Sequence, residues 1–289
     1  QKYIIQLTGV LALNTNKLYL RKRIISSILR YIQPKCVFVQ TLSSFNINSM
    51  IINSIAKDIP VDVYCWMHGG YGAYSSLAGY DVTDFKHSRN HIVYGNGAKN
   101  TIMSDESILR SLYPKVQYKT LVLGSPYLDN LYLEQKQGAK LKKKIVFSLQ
   151  GIYNHNQYYF GYFRPYGYLN FWNECKNIIS TLSLYSKEFD IYIKDYPIST
   201  QKDRVIRLLK QLKDDNIIYL SDHCSYKDTI QDADTLIYPW VSTSFIEALY
   251  TNADILLYDN SKITNEAYDI LICCNVFSKD LNVFVKKMV

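Results

Sequence analysis

The segment Cys65-Trp66-Met67-His68-Gly69-Gly70-Tyr71-Gly72 combines a titratable side chain with a tight backbone turn. The apolar run that precedes His68 is typical of a buried strand. Glycine residues let the backbone turn sharply and approach a ligand closely. In open α/β sheets, ligands bind at the carboxyl ends of strands. We therefore predict that His68 lies at the edge of an active site, where a histidine can act as a general base because it titrates near neutral pH.

A second segment, from Tyr238 to Leu249, places three hydroxyl residues between a strand-like run and a helical stretch. The hydroxyls belong to Ser242, Thr243 and Ser244, and Glu247 follows in the first turn of the predicted helix. Ser244 and Glu247 match a capping box, which would only satisfy backbone amides. Hydroxyls and free amides at a helix N-terminus also bind phosphate. Because this helix follows a strand, we favour phosphate binding, with a ribose hydroxyl as an alternative partner of Glu247.

Both segments need a scaffold that brings strand ends together. Apolar runs of strand length alternate along the chain with stretches that have apolar residues at helical spacing. Strands are predicted at 37–40, 61–67, 91–94, 120–123, 144–149, 190–194, 217–220, 235–238 and 255–258. Helices are predicted at 18–31, 47–56, 101–112, 168–186, 201–214, 226–232, 244–251 and 264–272. This alternation predicts an α/β fold with parallel sheets and helices on both faces.

The basic segment 135–144 divides the chain into two halves. It is polar and contains a glycine, so it is predicted to be a linker between a Rossmann-like lobe at 1–134 and a second at 145–289. Two such lobes, facing each other across a cleft, would suit a nucleotide-linked substrate. Neither a Gly-x-Gly-x-x-Gly fingerprint nor a Walker loop occurs in the sequence, which argues against NAD enzymes and P-loop ATPases.

The net charge of +8 is concentrated in the first half of the chain. Residues 1–144 contain 19 basic and 8 acidic residues, whereas residues 145–289 contain 14 and 17. This imbalance indicates either an anionic partner for the first half, such as a membrane surface, an acidic glycan or nucleic acid, or a merely solvated basic surface. No apolar run approaches the ~18–20 residues of a membrane span. We therefore expect a cytoplasmic protein, either free or at the inner face of the membrane. The six cysteines lack a CxxC spacing, which favours buried reduced thiols over zinc ligands.

Several segments, taken in order, resemble GT-B glycosyltransferases. The run from Ser242 to Ala248 is similar to the donor-site helix of that family, in which Ser-Ser/Thr-x-x-x-Glu-Ala follows a late strand of the C-terminal lobe. The His68-Gly69 turn is similar to the His-Gly turn of the N-terminal lobe. The segments 91–97 and 123–129 resemble the next strand with its loop and the Gly-Ser/Asn-Pro-x-x-Asp segment. Residues 191–197 are similar to a strand that often ends in Lys-x-His-Pro, with Tyr196 in place of the histidine.

This resemblance covers residues 35–260 and is nearest to bacterial surface-polysaccharide transferases, namely Kdo transferases and CDP-glycerol glycerophosphotransferases. It implies an enzyme that moves a sugar from a nucleotide donor to a surface-polysaccharide or lipid-linked acceptor. The first lobe would bind the acceptor and the second lobe the nucleotide sugar. Because GT-B enzymes typically need no metal, neither a metal nor a cofactor is expected. Asp232-Ala233-Asp234 mimics an Asp-x-Asp metal motif, but it precedes a strand instead of following one.

The same resemblance, together with the chemistry of transfer, assigns roles to individual residues. His68 would take the proton of the acceptor hydroxyl, beside the turn formed by Gly69, Gly70 and Tyr71. Asp81 and Asp84 would orient His68 or bind acceptor hydroxyls, unless they are solvated helix charges. The predicted donor-binding residues are Gln150, Gly151, Arg164, Lys194, Ser242, Thr243, Ser244 and Glu247.

The loop 150–168 is rich in tyrosine, phenylalanine and glycine. Aromatic faces stack on sugar rings or bases, so this loop is predicted to be a lid over the substrate, a packing loop, or a surface that meets a membrane. Two alternative functions remain open within the enzymes: a nucleotide-sugar 2-epimerase and a glycerophosphotransferase of the same fold. A non-catalytic nucleic-acid-binding module ranks lowest, because the basic residues are scattered without a recognisable nucleic-acid fold.

Overall fold

The computed structural model describes residues 2–39, 47–67, 89–103, 117–134, 142–149, 168–195, 202–220, 224–258, 263, 265–273, 277–278 and 280–288. The chain divides into two compact units: the first contains the described residues up to Gly124, and the second contains those from Ser125 onward.

The first unit is a four-stranded parallel sheet with helices. Its elements are α1 (Lys2–Ile32), β1 (Cys36–Val39), α2 (Ile47–Ile55), β2 (Asp62–Trp66), β3 (Asn90–Val93), α3 (Asn96–Met103) and β4 (Lys119–Val122). The strands are ordered β1-β2-β3-β4. Val39, Val63 and Cys65 form a small core on one face of the sheet, and Ile51 of α2 packs with Leu29 of α1 in an adjoining cluster.

The second unit is a six-stranded parallel sheet with helices on both faces. Its elements are α4 (Pro126–Leu133), β5 (Lys144–Leu149), α5 (Tyr168–Ser183), β6 (Asp190–Asp195), α6 (Lys202–Leu212), β7 (Ile218–Leu220), α7 (Tyr226–Ile230), β8 (Thr235–Tyr238), α8 (Thr243–Ala248), β9 (Asp254–Tyr258), α9 (Asn265–Cys273), β10 (Phe277–Ser278) and α10 (Leu281–Met288). The strand order is β10-β9-β8-β5-β6-β7. Counted from β5, this is the 3-2-1-4-5-6 order of the Rossmann fold.

Two apolar layers cover the faces of this second sheet. Side chains alternate between faces along a strand, so Phe147 and Val146 of β5 enter different cores. Phe147 packs with residues of α5, α6 and α10, whereas Val146 packs with residues of α4, α7, α8 and α9. In α6, Val205, Leu208 and Leu209 are buried, which is the i, i+3, i+4 pattern of an amphipathic helix. Burial of both faces is what a parallel sheet requires.

The expected fold class is confirmed: the chain is an α/β protein with two parallel sheets. Each of the nine predicted strands is present, with ends that differ by a residue or so. The sequence prediction began α1 at residue 18, where apolar residues at helical spacing begin, but the helix begins at Lys2. It also placed a helix at 101–112, whereas α3 begins at Asn96, and residues 104–112 lie outside the described part.

The boundary between the units is ten residues earlier than the end of the predicted first lobe. α4 was not among the predicted helices, and Gly124-Ser125-Pro126 is a sequence typical of a turn. Gly124 does have a positive φ of 73°, but Ser125 then caps a helix whose first residue is Pro126. Proline is favoured at this first helical position. The linker at 135–144 and the acceptor and donor roles of the two lobes stay predictions.

The cysteine prediction is correct only in part. Of the five described cysteines, Cys65 and Cys175 are buried, whereas Cys36, Cys224 and Cys273 are exposed. None of the described helices is long and apolar enough to cross a membrane.

Candidate nucleotide-binding site

The topology of the second unit indicates where a ligand would bind. The chain proceeds from β5 to β6 and β7 on one side of the sheet, and then crosses to β8 on the other side of β5. β5 and β8 are therefore the neighbouring strands between which the strand order reverses. In open α/β sheets, ligands bind in the crevice outside the carboxyl ends of such strands. The segment after β8 contains the predicted Ser242–Glu247 residues, and the predicted residues Gln150 and Gly151 follow β5.

Ser242 organises the backbone that follows β8. It is the N-cap of α8, with φ −148° and ψ 178°, and its hydroxyl accepts a hydrogen bond from the Phe245 amide at 3.3 Å. The hydroxyl oxygens of Ser242 and Ser244 are 2.8 Å apart and hydrogen-bonded. The capping-box interpretation of Ser244 and Glu247 is therefore wrong by two residues, since Ser244 lies inside the helix. Ser242 is buried, and Thr243 and Ser244 are half-buried.

The apolar side of α8 fixes the direction of Glu247. Phe245, Ile246 and Ala248 are buried in the core that also contains Tyr238. The ring of Phe245 meets that of Tyr238 edge-on, with a centroid distance of 5.6 Å. Glu247 is the half-buried acid of this short helix. The position of Glu247 is therefore set by its buried neighbours in the helix, Ile246 before it and Ala248 after it.

Glu247 is hydrogen-bonded to Tyr127 of α4 and has an unusual pKa. Burial raises the pKa of Glu247 to about 7 from its ordinary value of 4.5, although the hydrogen bond from the Tyr127 hydroxyl lowers it. Burial, the charge of Glu247 and the hydrogen bond to it raise the pKa of Tyr127 to about 12. At neutral pH the phenol is therefore protonated and donates, while the carboxyl group is close to half ionised. Strongly shifted carboxyl groups of this kind are typical of functional sites.

Two tyrosines interact with the charge of Glu247: Tyr238, which is buried, and Tyr226, which is half-buried. The hydroxyls of Tyr226 and Tyr238 are hydrogen-bonded to each other, and Tyr226 also donates to the Ser244 carbonyl oxygen at 3.3 Å. Tyr226 has a further side-chain hydrogen bond with Ser148 near the end of β5. Burial raises the pKa of both tyrosines, and the charge of Glu247 acts in the same direction. This hydroxyl chain thus links the ends of β5 and β8.

Lys194 lies near the carboxyl end of β6, where it is 3 % exposed. It pairs in register with Ser148 of β5, so both residues are on the sheet face that carries Tyr238. The next residue, Asp195, accepts a hydrogen bond from the Tyr219 hydroxyl at 3.1 Å. Lys194 is thus close in the sheet to the strand ends, and its predicted contact with a donor phosphate stays a prediction.

Asp232 and Asp234 both contact Lys144 at the start of β5. Asp232 forms an ion pair with the Lys144 side chain, and Asp234 accepts from the Lys144 amide at 2.7 Å. Both contacts are at the amino end of β5, opposite the candidate site. In the part of the chain that the structure describes, no cluster of three or more His, Cys, Asp or Glu side chains could hold a metal ion.

Sequence reasoning missed Tyr127, Ser148, Tyr226 and Tyr238. The available signal was weak: Tyr226 opens a helical stretch, and Tyr238 ends a strand whose other residues are apolar. Nine predicted residues lie outside the described part of the chain: His68, Gly69, Gly70, Tyr71, Asp81, Asp84, Gln150, Gly151 and Arg164. Of the predicted residues that are described, Ser242, Thr243, Ser244 and Glu247 lie together on α8 and its cap.

Comparisons with known proteins give the fold of the chain. No family model matches it, and no curated protein matches it by sequence. Among solved structures, a Listeria monocytogenes protein assigned as a UDP-N-acetylglucosamine 2-epimerase has a TM-score of 0.60 at 9% identity, over 94% of this chain and 69% of that one. The UDP-GlcNAc 2-epimerase of Neisseria meningitidis, bound to UDP-GlcNAc, has a TM-score of 0.55 at 14% identity, over 94% and 71%. That of Methanocaldococcus jannaschii has a TM-score of 0.56 at 12% identity, over 93% and 73%.

At these identities the similarity shows the fold alone. The two parallel sheets are consistent with the two Rossmann-like lobes of these GT-B structures. The narrower resemblance to Kdo transferases and CDP-glycerol glycerophosphotransferases stays a prediction.

Proposed function

We propose that the protein is an enzyme that acts on a nucleotide-activated sugar, and that its second unit binds the nucleotide. The observation that carries this proposal is the half-buried carboxyl group of Glu247 beside the Ser242–Ser244 hydroxyls, after the strand at which the sheet order reverses. A nucleotide has ribose hydroxyls, which can donate hydrogen bonds to a carboxylate. It also has phosphate oxygens, which can accept hydrogen bonds from serine hydroxyls and backbone amides. Glu247 would bind the ribose and the Ser242–Ser244 turn a phosphate.

The first reaction that we propose is glycosyl transfer to an acceptor. The acceptor oxygen would form a bond to the anomeric carbon as the bond from that carbon to the donor phosphate breaks. His68 would take the acceptor proton, with Asp81 or Asp84 orienting it, and the nucleoside diphosphate would leave. Positive charge at Lys194 and Arg164 would stabilise the leaving phosphate. The acceptor itself is proposed to be a surface-polysaccharide or lipid-linked glycan, held near the Gly69-Gly70-Tyr71 turn.

The charge of the first unit supports an anionic acceptor or membrane surface. Residues 1–57 contain eight of the 33 basic residues and none of the 25 acidic ones, so the remainder of the chain is balanced at 25 against 25. Within α1, the described side chains of Lys17, Arg21, Lys22 and Arg23 are exposed. Anionic lipids and glycans are attracted to such a surface. We propose a peripheral contact with the inner membrane face on this basis.

A nucleotide-sugar 2-epimerase is the second candidate. It is favoured by the similarity of 94% of this chain to the Neisseria enzyme, whose structure contains UDP-GlcNAc. The two reactions differ in what they require. An epimerase converts its nucleotide sugar without an acceptor, whereas a transferase needs one. A glycerophosphotransferase would instead use a glycerol-phosphate donor, and a nucleic-acid-binding module would bind no nucleotide sugar.

Nucleotide binding is tested first by thermal shift with CMP, CDP, UDP and GDP, because a ligand that binds only the folded state raises its Tm. At least one nucleotide should stabilise the wild type. Glu247→Ala should weaken its binding by about ten- to a hundredfold, the loss expected for a hydrogen bond to a charged group. Glu188→Ala, which changes an exposed acid on the same unit, is the control. An unchanged dissociation constant in Glu247→Ala would refute the ribose assignment.

The reaction is then identified by NMR of the products from UDP-GlcNAc alone. An epimerised nucleotide sugar would favour the second candidate. A donor that stays intact on its own and is consumed only when a glycan acceptor is added would support transfer. His68→Ala should then abolish turnover while the donor still binds, and unchanged turnover would remove His68 as the base.

A further inference from the structure

We propose that α1 lies flat on the surface of an anionic lipid bilayer and inserts an apolar stripe among the lipid headgroups. The stripe consists of Leu20, Ile24, Ile28 and Tyr31. This inference rests on the membrane contact proposed above, which was argued from charge alone, and it adds the element and the kind of contact. It does not depend on nucleotide binding by the second unit.

The four side chains of the stripe lie along one line of the helix. With about 3.6 residues per turn, positions 20, 24, 28 and 31 fall within an arc of about 80°. Their side chains are 58 %, 51 %, 48 % and 90 % exposed, in that order. A single exposed apolar residue is common on protein surfaces, but a contiguous apolar patch marks an interaction site. The stripe is therefore a candidate interaction surface.

A different face of α1 attaches the helix to the first unit. Leu29 is buried in a cluster with Ile51 and Ile55 of α2, and Ile25 packs against the same cluster. Positions 25 and 29 lie about 100–140° around the helix from the middle of the stripe. The packing of α1 on its own unit thus leaves the stripe exposed, and substitutions in the stripe should not disturb that packing.

Basic side chains border the stripe on both sides. Arg21 lies on one side of it, and Arg23 and Arg30 lie on the other. Lys17 precedes its first residue, and all four basic side chains are exposed. The helix contains six basic residues and no acidic one. Apolar residues bordered by Lys and Arg are typical of helices that lie in the plane of a membrane interface, where anionic lipids attract each basic side chain.

The aromatic residues of α1 also suit the headgroup layer of a bilayer. Tyr31 belongs to the stripe, and Tyr19 is an exposed neighbour of it. The guanidinium carbon of Arg23 lies 5.9 Å from the centroid of the Tyr19 ring, so a cation–π contact holds this charge beside the stripe. Tyrosine is enriched at membrane–water interfaces because its ring is apolar and its hydroxyl is polar.

The charges favour a lipid surface over a second copy of the chain as the occupant of the stripe. Two copies joined through the stripe would bring their basic borders together, and α1 has no carboxylate to neutralise them. Like charges that face each other across an interface are strongly unfavourable. The phosphate groups of anionic lipids instead supply the complementary charge.

The experiment is co-sedimentation of the full chain with vesicles of mixed phosphatidylcholine and phosphatidylglycerol, and with vesicles of phosphatidylcholine alone. The wild type should bind the anionic vesicles much more tightly than the neutral ones. Ile24→Gln combined with Ile28→Gln should lower the partition coefficient on anionic vesicles by at least about tenfold, because burial of one aliphatic side chain is worth roughly that factor. Glutamine preserves the net charge and is a good helix former.

The matched control is Ile270→Gln combined with Ile272→Gln. These two isoleucines share one helix, α9 of the second unit, and are 60 % and 45 % exposed. The control therefore removes the same apolar groups at similar exposure outside the stripe, and it should bind anionic vesicles as the wild type does.

A second measurement separates insertion from adsorption by charge. Tyr31→Trp places a fluorophore in the stripe, and brominated lipids in anionic vesicles should quench its emission beyond any quenching seen in the wild type. Arg21→Gln combined with Arg30→Gln should weaken binding to anionic vesicles by about tenfold or more at low salt, because each basic residue near such a surface contributes to the attraction.

The outcomes are distinct from those of the nucleotide tests. Wild-type binding by the Ile24→Gln, Ile28→Gln variant, or no added quenching in Tyr31→Trp, would show a contact by charge alone and overturn the proposal. A wild type that ignores anionic vesicles would overturn it as well, and so would a wild-type dimer that this double variant converts to a monomer. Nucleotide thermal shifts should be the same in the double variant and the wild type. A protein that binds vesicles but no nucleotide would therefore overturn only the proposed enzymatic function.

Discussion

Replacing Glu247 with glutamine should make the protein more stable at pH 8 but not at pH 5. Burial raises the pKa of Glu247 to about 7 in the folded protein, against 4.5 as its ordinary value. Between these two values the folded state keeps a proton that the unfolded state has released. The favourable contribution of the protonated group is therefore complete below pH 4.5 and is lost as the pH rises through 7. Glutamine resembles the protonated form at every pH.

The magnitude follows from the shift. Each pKa unit corresponds to about 1.4 kcal/mol, so full expression of the shift would change the free energy of unfolding by about 3 kcal/mol. Glu247 is half-buried, and solvent screening reduces the effect to about 1–2 kcal/mol. Glu247→Gln and the wild type should therefore have nearly equal stability at pH 5. At pH 8, the variant should be more stable by about 1–2 kcal/mol.

The assay is urea unfolding at several pH values in a Trp66→Phe background. The chain has three tryptophans, and this substitution leaves Trp172 and Trp240, which both belong to the second unit. Fluorescence then reports on the unit that contains Glu247, which avoids treating two units as one transition. Glu188→Gln, at an exposed acid, controls for the loss of a charge. A difference between Glu247→Gln and the wild type that stays constant from pH 5 to 8 would refute the reasoning.

Two further substitutions test the framework of the site. Ser242→Ala should lower the free energy of unfolding by about 1 kcal/mol, the usual value of an N-cap, because the Phe245 amide loses its acceptor. A change below roughly 0.3 kcal/mol in the same urea assay, which is the loss expected when glycine replaces a capping residue, would contradict the capping role. Tyr226→Phe should cost about 1–3 kcal/mol, because it removes a hydrogen-bond partner from the buried Tyr238 hydroxyl. A neutral result for Tyr226→Phe would mean that another group satisfies Tyr238.

The strands were predictable because their signal is local. In β5 and β8, runs of apolar residues are bounded by polar ones, and the predicted limits coincide with the observed ones. The limits of α1 and the existence of α4 were not predictable in this way. In α1, Thr8, Gly9, Asn14 and Thr15 have low helix propensity, but they are part of the helix in the structure. In α4, a proline that usually signals a turn occupies the one helical position that tolerates it well.

Only the part of the site that is formed by neighbouring residues in the sequence was predicted. Ser242, Thr243, Ser244 and Glu247 were found because they follow one another after a strand. Tyr127 is 120 positions away from Glu247, and nothing in either local pattern joins them. Their interaction depends on the tertiary structure, in which Leu128 of α4 and Ile246 of α8 belong to the same core. Sequence reasoning therefore found the carboxyl group but missed Tyr127, which lowers the pKa that burial of Glu247 raises.

The strand orders of the two units support nucleotide binding at Glu247 but give no support for catalysis by His68. In the second unit, the order reverses between β5 and β8, and ligands of open α/β sheets bind beside such a reversal, which here is followed by α8. The four described strands of the first unit follow one another without reversal. Topology therefore assigns no crevice to the described part of that unit, and the role of His68 rests on its sequence context alone. Substitutions at Glu247 should consequently change nucleotide affinity, whereas those at His68 should change turnover, and the two effects should be separable in one set of kinetic measurements.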